Sequence, residues 1–301
     1  PLIFTNNDSG YETAIEFKKN GVNPLILDTR KEPSSDIITE AKNLGIEIKF
    51  SHVVVAAKGY KKVKSADIAK ISDNKKDLSN IENIECDCIC VSGFWTPSIH
   101  LASQSGNKSE FNEKIDAFIP KKSKQKENTI GSANGKFTLE ETINEAFEKG
   151  YEVSNKITEN NNKVSMPTVV EKKSTEHDKF WCVPLPKGKS YKRFLDFQND
   201  VAVTDIELAL REGFRSIEHV KRYTTLGMAT DQGKTSNLNG LQLVSDIENK
   251  VVPQVGHTTF RPPYTPVSIG AIVGREVGKH SKPTRKSPMH QWHEKNNAVF
   301  V

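Results

Sequence analysis

Strand-like and helix-like patterns alternate through the opening stretch, and this alternation constrains the fold more than any other feature of the sequence. Leu2–Thr5 is an apolar run, and Asn6-Asn7-Asp8-Ser9 is a turn cluster of the kind that starts helices. Gly10 to Lys19 then puts Ala14, Ile15 and Phe17 on one helical face before Asn20-Gly21 ends it. Pro24 to Asp28 reads as a short buried strand, Asp36 to Asn43 as a helix closed by Leu44-Gly45, and Ile46–Phe50 and His52–Val55 as strands. Helical connections between short apolar strands carry the chain back over the sheet. The expected fold is therefore α/β, with a doubly wound, nucleotide-binding-type parallel sheet.

In such a sheet the first strand–helix turn faces a pyrophosphate, and an acid ending the second strand hydrogen-bonds a ribose hydroxyl. Asn6, Ser9, Gly10 and Asp28 are accordingly the candidate NAD-binding residues. The turn lacks the glycine fingerprint, and Asp8 would oppose an anion unless it is the helix cap. A nucleotide site and a scaffold that has lost its ligand both fit this pattern.

Further on, Cys86, Cys88 and Cys90 alternate along one apparent strand, which would turn all three thiols to one face. That spacing is not a zinc site's, and with Cys182 they read as buried free thiols of a reducing cytosol. Ile89 to Pro97 is a strand entering a turn, followed by a helix over Ser98–Ser105. Thr129 to Gly135 reads as a strand with a two-glycine turn, before a helix over Leu139–Lys149. Gly131 and Gly135 would let a helix N-terminus approach a phosphate, although tight packing requires the same residues. Residues 151–179 are polar and read as a linker. Beyond it, 180–255 holds two helices, Thr204–Glu212 and Ser216–Tyr223, divided by Gly213, and 256–301 reads as an extended segment.

Several functional classes are excluded. No apolar run reaches the length of a membrane span. A net charge of +5 over 301 residues, without a concentrated basic face, does not mark a nucleic-acid binder. The run Lys121 to Lys126 reads as a solvated loop. The apolar start at Pro1-Leu2-Ile3-Phe4 and the apolar end at Ala298 to Val301 suggest a piece of something longer. His290, Trp292 and His293 suggest a structural or interfacial role rather than a metal site, because no further ligands converge on them in sequence.

Longer motifs carry a family resemblance. Asp196 to Val201, Gly213 to Asn237, Thr259 to Val267 and Arg285 to Glu294 resemble the alpha subunit of heterotetrameric sarcosine oxidase, as do Val91 to Leu101 and Ser103 to Gly106. The resemblance implies the middle of a larger subunit. Residues 1–150 would be a partial FAD/NAD(P)-binding-type domain, with about 1–75 its second nucleotide-type subdomain. Gly131 to Gly135 would return to the first. A truncated aminomethyltransferase-like folate domain would start near Thr284. It further implies oxidation of sarcosine to glycine in the cytoplasm, with beta, gamma and delta subunits as partners. The implied cofactors are NAD, FMN at the contact with the beta subunit, FAD within that subunit, and tetrahydrofolate in the folate domain.

The helix pair and the Gly227-Met228 turn also resemble the iron–sulfur module of bacterioferritin-associated ferredoxin. There the four cysteine positions would be Asp196, Gln198, Asp231 and Ser236, none of which can supply a thiolate, so no iron–sulfur cluster is expected. The candidate contacts to FMN or the beta subunit are Lys221, Arg222, Thr224, Thr225, Thr230, Gln232 and Lys234. No catalytic residue is assigned. The alternatives are the alpha-type subunit of a related amine, proline or glycine dehydrogenase, and a non-enzymatic interaction scaffold.

Overall fold

A computed structural model describes residues 1–121, 123–158, 164–169, 176–275, 278 and 285–300. The expected alternation is present as β1 (Leu2–Thr5), α1 (Ser9–Lys19), β2 (Leu25–Asp28), α2 (Asp36–Asn43) and β3 (Glu47–Phe50). With β7 (Ile89–Ser92) the three strands form a parallel sheet in the order β3-β2-β1-β7. Tyr11, Ala14 and Ile15 of α1 and Ile38 and Ala41 of α2 close one face of the sheet over Ile3 and Ile26. The other face is covered by an antiparallel sheet rather than by helices. It is formed by β4 (His52–Gly59), β5 (Val63–Ile71) and β6 (Leu78–Glu85), which bury Ala66 and Ile68 against Leu2 and Leu27. β7, at Ile89–Ser92, thus joins the sheet that β1, β2 and β3 begin.

The three-cysteine strand does not form. β6 ends at Glu85 and β7 begins at Ile89, leaving Cys86 and Cys88 in the connection. Cys86 packs under the antiparallel sheet, Cys90 lies on the helix side, and Cys88 is exposed. All four thiols are free, but none is fully buried.

After β7 come α3 (His100–Gln104) and the hairpin of β8 (Ser109–Asn112) and β9 (Ala117–Pro120). Residues 129–130 form no strand, and Gly131–Asn134 is a 3-10 turn. Helix α4 runs from Leu139 to Thr158, so the first part of the supposed linker is helical. Residues 159–163 and 170–175 of that stretch, and Lys122 of the basic run, lie outside the described residues.

The second module contains β10 (Phe194–Asp196), β11 (Val201–Ala202), α5 (Val203–Arg211), α6 (Ile217–Thr224), α7 (Asn237–Glu248) and α8 (Val252–Val255). Its core joins Ile206, Leu210, Val220, Leu226, Leu241 and Val244, with Phe111 and Phe118 of the β8–β9 hairpin packed against it. The chain divides after Arg261. In the second unit, α9 (Ile269–Val273) and α10 (His290–Lys295) interrupt the segment expected to be extended. On α10, His290 pairs with Glu294 at 3.0 Å. Among the described residues no helix is long and apolar enough to cross a membrane.

Candidate functional site

The first candidate site is the C-terminal edge of the parallel sheet, where Thr5, Asp28, Phe50 and Ser92 share one rung. Asp8 stands at the N-cap of α1 without a side-chain cap bond, and Asn7 Oδ1 instead accepts from Ser9 N–H at 2.9 Å and from the Ser9 hydroxyl at 2.6 Å. The Ser9 hydroxyl also lies 2.6 Å from that of Ser92. Asp8 instead pairs with Arg30 at 2.8 Å. Gly10 packs against Thr5, since a Cβ added there would lie 2.7 Å from the Thr5 Cβ.

Asp28 has no exposed surface. Its Oδ2 accepts from the Tyr11 hydroxyl at 2.7 Å and from Arg30 Nη2 at 2.8 Å, while its Oδ1 accepts from Arg30 N at 2.9 Å. Burial, then the charge of Asp28, raises the Tyr11 pKa well above its ordinary value. Burial works to lower the Arg30 pKa, but the bonds to Asp28 and Asp8 outweigh it and leave it raised.

The end of the polar stretch closes over the same edge. Asp178 exchanges backbone contacts with Asn6, accepting from its side-chain amide at 2.8 Å and donating N–H to its carbonyl at 2.8 Å. The Asp178 carboxylate accepts from Thr29 Oγ1 at 2.8 Å and pairs with Lys75. His177 stacks on Phe94, with ring centroids 3.8 Å apart, and lies 3.0 Å from Asp116. A dinucleotide would need the Asp28 oxygens and the turn that Asn6 and Ser9 occupy, and the chain's own groups hold both. The residues read from the sequence as an NAD site are here bonded to one another and to Asp178.

Gly131 and Gly135 are likewise engaged within the protein. Gly131 N–H donates to Glu145 Oε2 at 2.6 Å, and the Asn134 amide donates to Glu145 Oε1 at 2.7 Å. A Cβ on Gly135 would lie 2.6 Å from Ile115 Cδ1. These glycines permit close packing, and a carboxylate stands where a phosphate was considered.

In the helical module the four positions aligned with cysteines come together as two pairs. The buried Asp196 carboxylate accepts from Gln198 N at 2.9 Å, Asn199 N at 3.0 Å, Gly227 N at 2.8 Å and Ser236 Oγ at 3.4 Å. Gln198 Oε1 accepts from Asp231 N at 2.9 Å. One carboxylate thus organises the loop ends through backbone N–H groups. Among the described residues no three His, Cys, Asp or Glu side chains gather as a metal-ligand set.

The loop between α6 and α7 is shaped by two glycines. Gly227 and Gly233 have φ of +63° and +72°, and a Cβ on either would lie 2.1 Å from Asn237 Oδ1. Gln232 uses both ends of its amide on the Arg261 main chain, accepting its N–H at 2.8 Å and donating to its carbonyl. Arg261 is thereby brought to the end of α6. Burial lowers the Lys221 pKa, and the charges of Arg261 and Arg222 add to the effect against Glu218. Arg222 contacts Glu218 at 3.8 Å and is exposed, as are Thr225 and Thr230. Thr224 donates its hydroxyl to the Val220 carbonyl at 2.8 Å, and Lys234 bears electrostatically on His100. Lys221, Arg222 and Arg261 thus bring three positive charges near one another, beside Glu218. Sequence reasoning missed Arg261, whose placement depends on the Gln232 clamp.

Comparison with known proteins shows what this chain resembles. The sarcosine oxidase A3 domain matches residues 190–275, which include the Asp196 loop and the basic group. The sarcosine oxidase alpha subunit of Rhizobium meliloti (strain 1021) is 36% identical over 307 residues, covering 100% of this chain and 29% of that protein. That of Corynebacterium sp. (strain U-96) is 31% identical over 314 residues, covering 99% of this chain and 31% of that protein. Solved structures are more distant. L-proline dehydrogenase from P. horikoshii gives a TM-score of 0.48 at 19% identity, covering 83% of this chain and 50% of that one. T. acidophilum thioredoxin reductase gives 0.32 at 16% identity, covering 44% and 46%. The chain thus spans only 29–31% of the length of the curated relatives described here. Over its whole length this chain is similar to sarcosine oxidase alpha subunits, at 29–36% identity.

Proposed function

We propose that this chain is the scaffold and subunit-contact portion of the alpha subunit of a flavin-dependent sarcosine oxidase complex. The supporting observation is a contrast between sites. The Asp28 edge and the Asp196 loop are engaged by the chain's own groups, whereas Lys221, Arg222 and Arg261 gather positive charge beside exposed hydroxyls. In this reading the basic group holds the phosphate of FMN at the contact with a beta subunit. Gln232 and Thr224 brace the loop, and Thr225, Thr230 and Lys234 line its approach.

The complex oxidises sarcosine to glycine, transfers the methylene carbon to tetrahydrofolate and reduces O2 to H2O2. FAD in the beta subunit and FMN at the interface supply the electron transfer. NAD sits in another module of the alpha subunit, and tetrahydrofolate in an aminomethyltransferase-like domain beginning near Thr284, which lies outside the described residues. Gamma and delta subunits complete the heterotetramer. Lys221, Arg222 and Arg261 bind and orient; none of them moves a proton in the reaction.

The test is co-expression of the full alpha polypeptide with its neighbouring subunits, followed by assays of flavin content and oxygen uptake. Sarcosine-dependent uptake, with formaldehyde released only when tetrahydrofolate is absent, is expected. Lys221→Gln combined with Arg261→Gln should lower bound FMN without changing FAD. Turnover of another amine but not of sarcosine, or unchanged FMN in the double variant, would overturn the corresponding part of the proposal.

A further inference from the structure

Cys88 and Cys90 lie outside every site described above. Cys88 ends the connection from β6, and Cys90 is the second residue of β7, an edge strand of the parallel sheet. The backbone here is fixed, with Leu2 N–H donating to the Cys88 carbonyl at 2.9 Å and Cys90 paired with Ile3. Residues two apart in extended backbone point to the same side, and the two sulfurs stand 3.8 Å apart. Cys88 is exposed and Cys90 half-buried. Burial raises the Cys90 thiol pKa, reinforced by the hydrogen bond and charge of Cys88. Cys86 is separated from the pair by its packing on the opposite side of the sheet, and its pKa too is raised by burial.

We propose that Cys88 and Cys90 form a reversible redox dithiol, with Cys88 as the attacking thiol, Cys90 as the resolving thiol and hydrogen peroxide as the oxidant. The Cys88 thiolate attacks one peroxide oxygen and breaks the O–O bond. Its sulfur becomes a sulfenic acid, and the departing hydroxide takes up the thiol proton as water. The Cys90 sulfur then attacks the Cys88 sulfur and expels the second oxygen, which leaves as water with the Cys90 proton. Two thiols and one peroxide give one disulfide and two waters, and two electrons pass from sulfur to oxygen.

Two steps of extended backbone place the Cα atoms about 6.6 Å apart, near the upper end of the roughly 4.4–6.8 Å that disulfides span. A bond formed at that limit is readily reduced, which suits a switch rather than a structural crosslink. The proposal is independent of the sarcosine reading, because the oxidant can be supplied directly.

The test uses the full chain, reduced, freed of reductant, treated with a small excess of hydrogen peroxide and quenched with N-ethylmaleimide. Intact mass should show labelled thiols falling from four to two in the monomer, with dithiothreitol restoring all four. Cys86→Ser and Cys182→Ser should still lose two labels, whereas Cys88→Ser and Cys90→Ser should form no internal crosslink. Four labels retained, a covalent dimer, or two labels still lost in Cys88→Ser would each overturn the assignment. A Cys88 sulfenic acid that persists without closing onto Cys90 would overturn it as well.

Discussion

Tyr11 provides a test in which stability and pH must change together. It has no exposed surface, and its hydroxyl donates to Asp28 Oδ2 at 2.7 Å. Replacing it with Phe removes one hydrogen bond to a charged acceptor, while Asp28 keeps its bonds to Arg30. At neutral pH, Tyr11→Phe should therefore be less stable by about 2 kcal/mol. The folded-state pKa of Tyr11 is raised above its ordinary value, with burial the largest cause. Its stabilisation is thus complete below about pH 10 and falls as pH rises further. Above that point the unfolded chain releases the phenolic proton and the folded chain keeps it. The unfolded state then binds fewer protons, and stability drops by about 1.4 kcal/mol per pH unit. Phe has no such proton, so the native chain's lead shrinks by about 1.4 kcal/mol at pH 11 and disappears near about pH 11.5. Urea unfolding followed by circular dichroism from neutral to alkaline pH measures this. Only the difference between the two proteins is used, so that the other tyrosines and the lysines cancel. A lead that stays constant across the range, or no lead at neutral pH, would refute the reasoning.

Two further substitutions probe the helical module. Asp196→Ala strips the acceptor from the N–H groups of Gln198, Asn199 and Gly227 and should cost about 3 kcal/mol or more in urea unfolding, with Asp196→Asn falling between it and the native chain. Gly233→Ala places a Cβ 2.1 Å from Asn237 Oδ1 at a φ of +72°, and thermal unfolding should show a loss of about 1–3 kcal/mol. Adding Asn237→Ala should recover the steric part of that loss and leave the backbone part; no recovery would mean that the clash is not its source.

Much of the local structure was legible because its causes are local. Apolar spacing and terminal Gly or Asn residues place α1, α2, α5 and α6 within a residue or two of where they form, and the β1–α1–β2–α2–β3 order follows from the same periodicity. The family motifs likewise identified positions 196, 198, 231 and 236 before any contact was known. What occupies those positions was not legible, because the Asp196–Ser236 and Gln198–Asp231 contacts close long loops. The acid at the end of β2 was read correctly as an acid at a strand end, but its partners were not foreseen. Arg30 lies only two residues on and turns back onto Asp28, Tyr11 reaches Asp28 from α1, and Asp8 pairs with Arg30 from the turn before that helix.

The sequence alone therefore determined the β1–α1–β2–α2–β3 succession, helices α5 and α6 and the family resemblance, since each depends on patterns that neighbouring residues carry. Tertiary structure alone decided that β5 and β6 cover the sheet's second face and that Phe111 and Phe118 join the helical core. It also decided that Asp178 closes the edge where a nucleotide was expected. Each of these outcomes pairs segments far apart in the chain. Their energy comes from mutual burial and hydrogen bonding, and that complementarity exists only once the chain has brought both partners together.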